Sequence, residues 1–223
     1  MGDLVEHLNK SGALQDLPPA LQTALFLGGL VLLPTLLVCI TGFTRIVIVL
    51  SFVRRAVTSQ DIPPNLVVLG LSFFLTWFVM GTTLEEINEQ AVTPYLDGKM
   101  PVPVAVQKAT DSLRKFMLAQ TRRQDLALFL SLSKVAPPEA PEDVPLRVLV
   151  PAFIISEMKT AFIMGFCIYL PFLLVDLVVA SILTAMGMVM MPPVMISAPF
   201  KILLFVVADG WHLVTRALSV SFG

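Results

Sequence analysis

The stretch LVVASILTAMGMVMMPPVMISAPFK, residues 177–201, decides the architecture that the sequence predicts. It carries no charge before Lys201, and Pro192 and Pro193 interrupt it where a helix would otherwise continue. Five of the chain's eleven methionines lie here: Met186, Met188, Met190, Met191 and Met195. The stretch predicts an apolar helix, a methionine-rich turn and a second apolar helix. The residues alone do not decide whether the methionines only fill a core or have a direct role in function.

The composition of the whole chain predicts a membrane-associated protein. Of the 223 residues, 56% are hydrophobic and only 14% are charged, whereas a soluble domain is about 25% charged. The net charge of −1 gives no electrostatic basis for binding nucleic acid. We therefore expect lipid or a heavily buried assembly as the surroundings of this chain, and no nucleic-acid partner.

Composition and hydrophobic periodicity predict an all-α fold built from membrane-associated helical hairpins. The segments are a polar N-terminal tail (1–16), a first hydrophobic hairpin (17–84), a polar, mostly helical insert (85–147) and a second hydrophobic hairpin with the methionine turn (148–223). The tail does not have the pattern of a signal peptide, because no basic segment precedes an apolar one.

Several helices can be placed more closely within these segments. The uncharged run 62–84 is long enough to cross a bilayer as one helix. Apolar residues recur at helical spacing over 105–132, which predicts a helix in the insert. Pro151 and Pro171 punctuate the apolar run 148–175.

Six charged residues lie within or beside apolar helices: Arg45, Glu157, Lys159, Asp176, Lys201 and Asp209. An ionised side chain at the centre of a bilayer costs roughly 2.5–3.5 kcal/mol on insertion scales. Glu157 and Lys159 are two residues apart and cannot face each other on a helix, so each needs another partner. We expect these charges to form salt bridges between subunits, and the alternative is that they reach solvent at an interface.

The charges of the short connections predict an orientation. Arg45, Arg54 and Arg55 outweigh Asp61 around the turn of the first hairpin. The positive-inside rule places this turn in the cytoplasm, with the N-terminus, the insert and the C-terminus on the other side.

The sequence offers little chemistry for catalysis. His7 and His212 are far apart, and no phosphate-binding loop, nucleophile elbow or paired-cysteine motif is present. We therefore expect no enzyme activity, no cofactor and no metal. A small secondary transporter or ion channel is an alternative, although the two hairpins show no clear internal repeat.

Five segments carry a resemblance to a known family: FTRIVIVL (43–50), PPNLVVLGLSFFLTWFVM (63–80), FMLAQTRRQDLALF (116–129), SEMKTAFIMGFCIYLPFLLVDLVVAS (156–181) and GMVMMPPVMISAPFKILLFVVADGW (187–211). Their order and density resemble the FliP/SctR family of type III secretion export-gate proteins. Segment 116–129 and the paired prolines favour the flagellar branch over the injectisome branch.

The resemblance implies a function and a set of partners. Several copies of such a chain would assemble with FliQ-like and FliR-like subunits into a closed helical cone, through which unfolded export substrates pass. FlhB-like and FlhA-like export components and a basal-body ring would be further partners. The protein would be located in the bacterial inner membrane at the flagellar basal body, with the insert on the periplasmic side.

The resemblance also implies a role for the methionine turn. In this family a methionine-rich loop seals the closed pore, and it maps onto Met186, Met188, Met190, Met191, Pro192 and Pro193. Val189 interrupts the consecutive methionines that relatives often carry, and Arg123 stands where they usually carry an acidic residue.

Overall fold

The structure, a computed structural model, describes residues 18–57, 63–133, 140–188 and 190–223. Within these ranges every regular element is helical, which confirms the all-α fold class. The predictions that concern the N-terminal tail, Asp61 and Val189 lie outside the described residues.

The helices follow one another with short connections. In chain order they are α1 (Pro19–Ile40), α2 (Phe43–Val57), α3 (Asn65–Val79), α4 (Gly81–Ile87), a π-helical turn (Asn88–Val92), α5 (Thr93–Leu96), α6 (Val102–Gln120), α7 (Arg123–Ser133), a 3₁₀ turn (Pro141–Asp143), α8 (Leu146–Ala185), α9 (Pro193–Val207) and α10 (Gly210–Val220).

Prolines mark where several helices begin. Pro19 and Pro193 each occupy the first helical position. A backbone N–H at this position would have no partner within the helix, so its absence in proline breaks no hydrogen bond. α3 begins at Asn65, directly after prolines 63 and 64, and prolines favour the start of a helix. Pro94 cannot donate to the carbonyl one turn earlier, and the chain widens into the π-helical turn just before it.

Two stretches predicted as single helices are each divided in the structure, and the prolines in a third stretch do not interrupt its helix. The run 62–84 is not one helix, because α3 ends at Val79 and a new helix starts at Gly81. The segment 105–132 is divided between α6 and α7. Pro151 and Pro171 do not end the helix that contains them, since α8 runs through both for 40 residues, or about 60 Å.

Residue Asp209 begins a helix that the sequence pattern did not predict. Its backbone is left-handed, with φ 49° and ψ 53°, so α9 stops and the chain turns into α10. Asp tolerates this conformation better than most residues do. The axes of α9 and α10 differ in direction by 63°.

The chain forms two compact units, which α8 and the shorter connections link. The first comprises the chain up to Thr41 together with Met80–Ile154, and the second comprises Gly42–Val79 and Ile155–Gly223. The core of the first unit is built from Met117, Val144, Val148, Leu149 and Phe153. The four-part division predicted from composition stays a prediction.

The core of the second unit joins five helices. Its buried residues are Ile46, Val49, Leu50, Val53 and Ala56 of α2, Val68 and Leu75 of α3, Ala161 and Phe172 of α8, Phe205 of α9, and Val214 and Leu218 of α10. The positions on α2 recur every three or four residues, so one face of that helix is buried along its length.

The outer face of α8 is apolar. Within the second unit its exposed large side chains are Ile155, Met158, Phe162, Ile163, Phe166, Leu170, Leu173, Leu174, Leu177, Val178 and Ile182. Such a continuous apolar stripe needs lipid or another protein as its surroundings. Among the described residues, α8 alone is long and apolar enough to cross a membrane, and up to three spans result if two broken helix pairs each count as one.

Close packing of α8 on α2 depends on Gly165. A Cβ atom at this position would lie 2.5 Å from the Phe52 ring and 3.0 Å from the Phe52 Cβ. The second atom is at the base of the side chain, so rotation of the ring cannot remove the clash.

We therefore expect Gly165→Ala to destabilise the protein by about 1–3 kcal/mol, because it overpacks a tight helix contact. Gly70→Ala is the matched control, since nothing lies within 4 Å of a Cβ at Gly70 and alanine is the better helix former. Thermal unfolding of the purified variants measures both. Equal losses in the two variants would contradict a close approach at Gly165.

Candidate functional site

The most buried charges of the second unit form an ion pair between α2 and α8. Arg45 is 2% exposed and Glu157 is fully buried. The Arg45 Nε donates to Glu157 Oε2 at 2.9 Å, and Nη2 donates to Oε1 of the same carboxylate. This two-pronged geometry is the strongest arrangement of an arginine and a carboxylate.

The C-terminal residues complete the shell around the same guanidinium. Arg45 Nη1 donates to the Ser221 carbonyl at 2.6 Å and to its hydroxyl at 3.0 Å. The Phe222 ring stacks on Arg45, with its centroid 3.8 Å from Cζ. Gly42 makes room for this ring, because a Cβ there would lie 2.8 Å from it. Arg45 therefore holds three separate parts of the chain together.

A second ion pair joins α8 to α9. Lys201, which is buried, donates from Nζ to Asp176 Oδ2 at 2.5 Å. The Ser197 hydroxyl donates to Asp176 Oδ1 at 2.5 Å. Both oxygens of the carboxylate thus have a donor, which offsets the cost of removing the charges from water. This pair fixes how the two helices meet below the methionine turn.

Four of the six charged residues within or beside the apolar helices form ion pairs inside the chain. Arg45 pairs with Glu157 and Lys201 pairs with Asp176, both within one chain. Lys159 and Asp209 have exposed side chains. A salt bridge to another subunit therefore stays a prediction for these two, whereas the other four have partners without one.

Glu157 and Asp176 lie on one face of α8. They are connected by steps of four and seven residues through Ala161, Ile168 and Phe172, all of which belong to or pack on the buried core. Nineteen residues of helix separate the two carboxylates by about 28 Å, close to the thickness of the hydrocarbon layer of a bilayer. The inner face therefore carries two carboxylates among apolar core residues.

The methionine turn begins at a well-defined helix end. Gly187 has φ 76°, a left-handed conformation that glycine adopts without steric cost. The Met188 N–H donates to the Leu183 carbonyl and the Gly187 N–H donates to the Thr184 carbonyl, each at 3.0 Å. These two bonds form a Schellman motif, which satisfies carbonyls at the end of α8.

The methionines of the turn are largely in contact with solvent. The exposed ones are Met186, Met190, Met191 and Met195, and Met188 is half-buried. Met190 is 99% exposed. Pro192 precedes α9 and Pro193 starts it, so Met190 and Met191 lie outside both helices. In the isolated chain the exposed methionines therefore do not fill a core.

An apolar groove lies beside the turn. It has a volume of about 540 Å³, and its lining residues are Leu174, Val175, Val178, Val179, Ile182 and Leu183 of α8 together with Ile196 and Phe200 of α9. The lining contains no charged residue. The groove therefore fits an apolar helix or acyl chain better than a polar solute.

Sequence reasoning missed four residues that build this site: Ser197, Ser221, Phe222 and Gly187. Ser197 lies four residues before Lys201 on α9, so helical spacing could have identified it. The glycine after the apolar run could have indicated the helix end. Nothing near Ser221 or Phe222 in the sequence indicates contact with Arg45, which is 176 residues away.

Comparison with known proteins identifies relatives of this chain. A model of the FliP family matches residues 26–218. The flagellar biosynthetic protein FliP of Bacillus subtilis (strain 168) is 54% identical over 189 residues, 85% of this chain and 86% of the relative. That of Pectobacterium carotovorum subsp. carotovorum is 48% identical over 203 residues, 91% and 79%. That of Aquifex aeolicus (strain VF5) is 44% identical over 209 residues, 93% and 87%.

We expect Glu157→Gln to destabilise the second unit by about 3–5 kcal/mol, because it leaves the Arg45 guanidinium buried without a counter-charge. Arg45→Lys should also be harmful, since a lysine cannot donate to both carboxylate oxygens and to Ser221 at once. Asp97→Asn is the control, because Asp97 pairs with Lys99 at an exposed site where such pairs contribute little. Thermal unfolding in detergent compares them, and a similar loss for Asp97→Asn would contradict the assignment.

The second ion pair predicts a non-additive result. Lys201→Met alone leaves the Asp176 carboxylate partly buried, and Asp176→Asn alone leaves the Lys201 ammonium buried. The double variant leaves neither charge, so we expect its loss of stability to be smaller than the sum of the two single losses by about 0.5–3 kcal/mol. Thermal unfolding of all four proteins measures this coupling. Strict additivity would show that the two side chains do not interact.

Proposed function

The chain belongs to the FliP family, and from that premise we propose that it is a pore-forming subunit of the flagellar type III protein export gate. In this role several copies surround a path for unfolded flagellar substrates across the bacterial inner membrane. The proposed role is structural and needs no catalytic group, cofactor or metal.

The observation that carries this proposal is the methionine turn between α8 and α9. Its exposed thioethers are flexible and apolar, and they can pack against many different side chains without specific hydrogen bonds. A seal around a passing polypeptide needs this property, because the sequence of the substrate changes continuously during export. We propose that Met186, Met188, Met190 and Met191, with Pro192 and Pro193 shaping the turn, close the pore at rest.

The rigid base of the turn supports the same role. The Schellman motif at Gly187 ends α8, and the Asp176–Lys201 pair ties α8 to α9. The methionine side chains can therefore move while their backbone supports remain in place. A seal that must reopen and close repeatedly requires this combination.

The apolar outer surface supports assembly with other chains. The exposed stripe on α8 and the groove beside it are suited to neighbouring copies, to FliQ-like and FliR-like subunits, and to lipid. FlhB-like and FlhA-like components and a basal-body ring are further proposed partners. The exposed Lys159 and Asp209 are the residues that we propose for salt bridges to other subunits.

The polar insert is proposed to lie on the periplasmic side. Its charges are mostly exposed, as in the Lys99–Asp97 and Lys115–Glu86 pairs, which suits contact with water. The relatives described above are flagellar proteins, and this favours flagellar export over the injectisome alternative. A small transporter is less well supported, because the buried charges Arg45 and Glu157 are used in a structural pair.

Substitution of the seal tests this function. We expect Met188→Ala, Met190→Ala and Met191→Ala, combined in one chain, to raise ion leakage through the assembled gate, because alanine removes most of the apolar volume that closes the pore. Leakage is measured as the loss of membrane potential in cells that produce the complete gate.

The matched control replaces the same three residues with leucine, which keeps apolar volume. It should leak less than the alanine variant, since volume-conserving apolar exchanges are tolerated best. Normal amounts of assembled complex must be found for both variants. Unchanged leakage in the fully assembled alanine variant would rule out the proposed seal.

A further inference from the structure

The methionines of the chain differ sharply in their access to solvent. Met190 is 99% exposed, and Met195 and Met186 are 71% and 65% exposed. Met80 and Met117, by contrast, are each only 2% exposed. The rate at which a thioether is oxidised follows its exposure. The turn and the start of α9 therefore contain the most exposed methionines among the described residues.

We propose that this turn is a site of reversible oxidation by peroxide-type oxidants, and that oxidation opens the seal. In the reaction the Sδ lone pair attacks one oxygen of hydrogen peroxide. An S–O bond forms, the O–O bond breaks, and the departing oxygen takes up the protons to leave as water. Sulfur loses two electrons and the peroxide gains them. A methionine sulfoxide reductase, supplied with a thiol reductant, reverses the step.

The structure confines the effect of oxidation to the turn. The supports of the turn are the Gly187 backbone bonds and the Asp176–Lys201 ion pair, and neither contains an oxidisable group. The exposed side chains also do not contribute to the described cores. A sulfoxide here changes the chemistry of the surface and leaves the packing of the second unit intact.

The consequence for the pore rests on the proposed function. A sulfoxide has a strongly polar S=O group that accepts hydrogen bonds, whereas a closed apolar ring offers it no donor. Water must then enter the ring to solvate the oxygens. The seal becomes permeable to ions while the gate remains assembled.

Selective oxidation is tested on the full chain purified in detergent, the state to which the exposed fractions apply. The protein is titrated with hydrogen peroxide, and each methionine is quantified by peptide mass spectrometry. We expect Met186, Met190 and Met195 to oxidise at least about tenfold faster than Met80 and Met117, in line with their exposure. Equal rates for the two groups would overturn the proposal, whatever the turn does in the pore.

The effect on the pore is tested by leakage before and after peroxide. We expect wild-type gates to leak after oxidation and to recover on treatment with reductases for both sulfoxide epimers. A variant with Met186→Leu, Met188→Leu, Met190→Leu, Met191→Leu and Met195→Leu should show no increase over its own leakage before peroxide, because leucine cannot form a sulfoxide. A peroxide-induced increase in this variant as large as in the wild type would overturn the inference.

The two proposals fail in different ways. If the alanine variant of the seal leaks but a fully oxidised wild-type turn does not, oxidation has no gating effect and the seal stands. If the alanine variant does not leak, the seal itself is wrong, and selective oxidation measured by mass spectrometry then describes only a chemical modification.

Discussion

The second unit depends on the burial of one charge, the Arg45 guanidinium. Arginine remains protonated under all ordinary conditions, so the fold must supply a partner instead of removing the charge. Glu157 from α8 supplies the counter-charge, the Ser221 carbonyl and hydroxyl accept two further hydrogen bonds, and Phe222 covers the face of the guanidinium. Three parts of the chain that are distant in sequence thus meet at one group. The arrangement also requires a glycine at position 42, since a larger residue there would occupy the space of the Phe222 ring.

The need of a buried charge for a partner also explains why α8 buries two charged positions next to apolar ones. A helix in a soluble protein buries its apolar face, but α8 directs Glu157 and Asp176 towards partners in the second unit and leaves a stripe of large apolar side chains exposed. In lipid or in an apolar assembly, buried ion pairs with an exposed apolar stripe are favourable. The free-energy cost of removing the charges from water is smaller when the fold itself supplies their hydrogen bonds. The two carboxylates are about 28 Å apart along the helix, so each ion pair lies near one end of a segment of membrane-spanning length.

Sequence patterns were sufficient for some of these features and insufficient for others. The all-α class followed from apolar runs, and the start of α3 followed from prolines 63 and 64, since both signals are local. The need of Glu157 for a partner other than Lys159 also followed from helical spacing. The identity of that partner did not, because a contact over 112 residues depends on how the helices pack. The helix after Asp209 was not predicted for a related reason. The left-handed backbone of Asp209 accompanies the approach of Gly210 to the Phe205 ring, which is a tertiary contact.

The turn between α8 and α9 combines a rigid backbone with flexible methionine side chains. Its position is set by the Asp176–Lys201 ion pair that precedes it. Asp176 pairs with Lys201 across the hairpin, so the two helices are held together before the turn begins. Gly187 then ends α8 with the backbone bonds of the Schellman motif, which do not depend on any side chain in the turn. The exposed methionine side chains consequently do not stabilise the second unit, so evolution can select them for their surface chemistry alone. Because the backbone supports of the turn do not depend on its side chains, the methionines can remain apolar and flexible. For the same reason their sulfur atoms are accessible to oxidants.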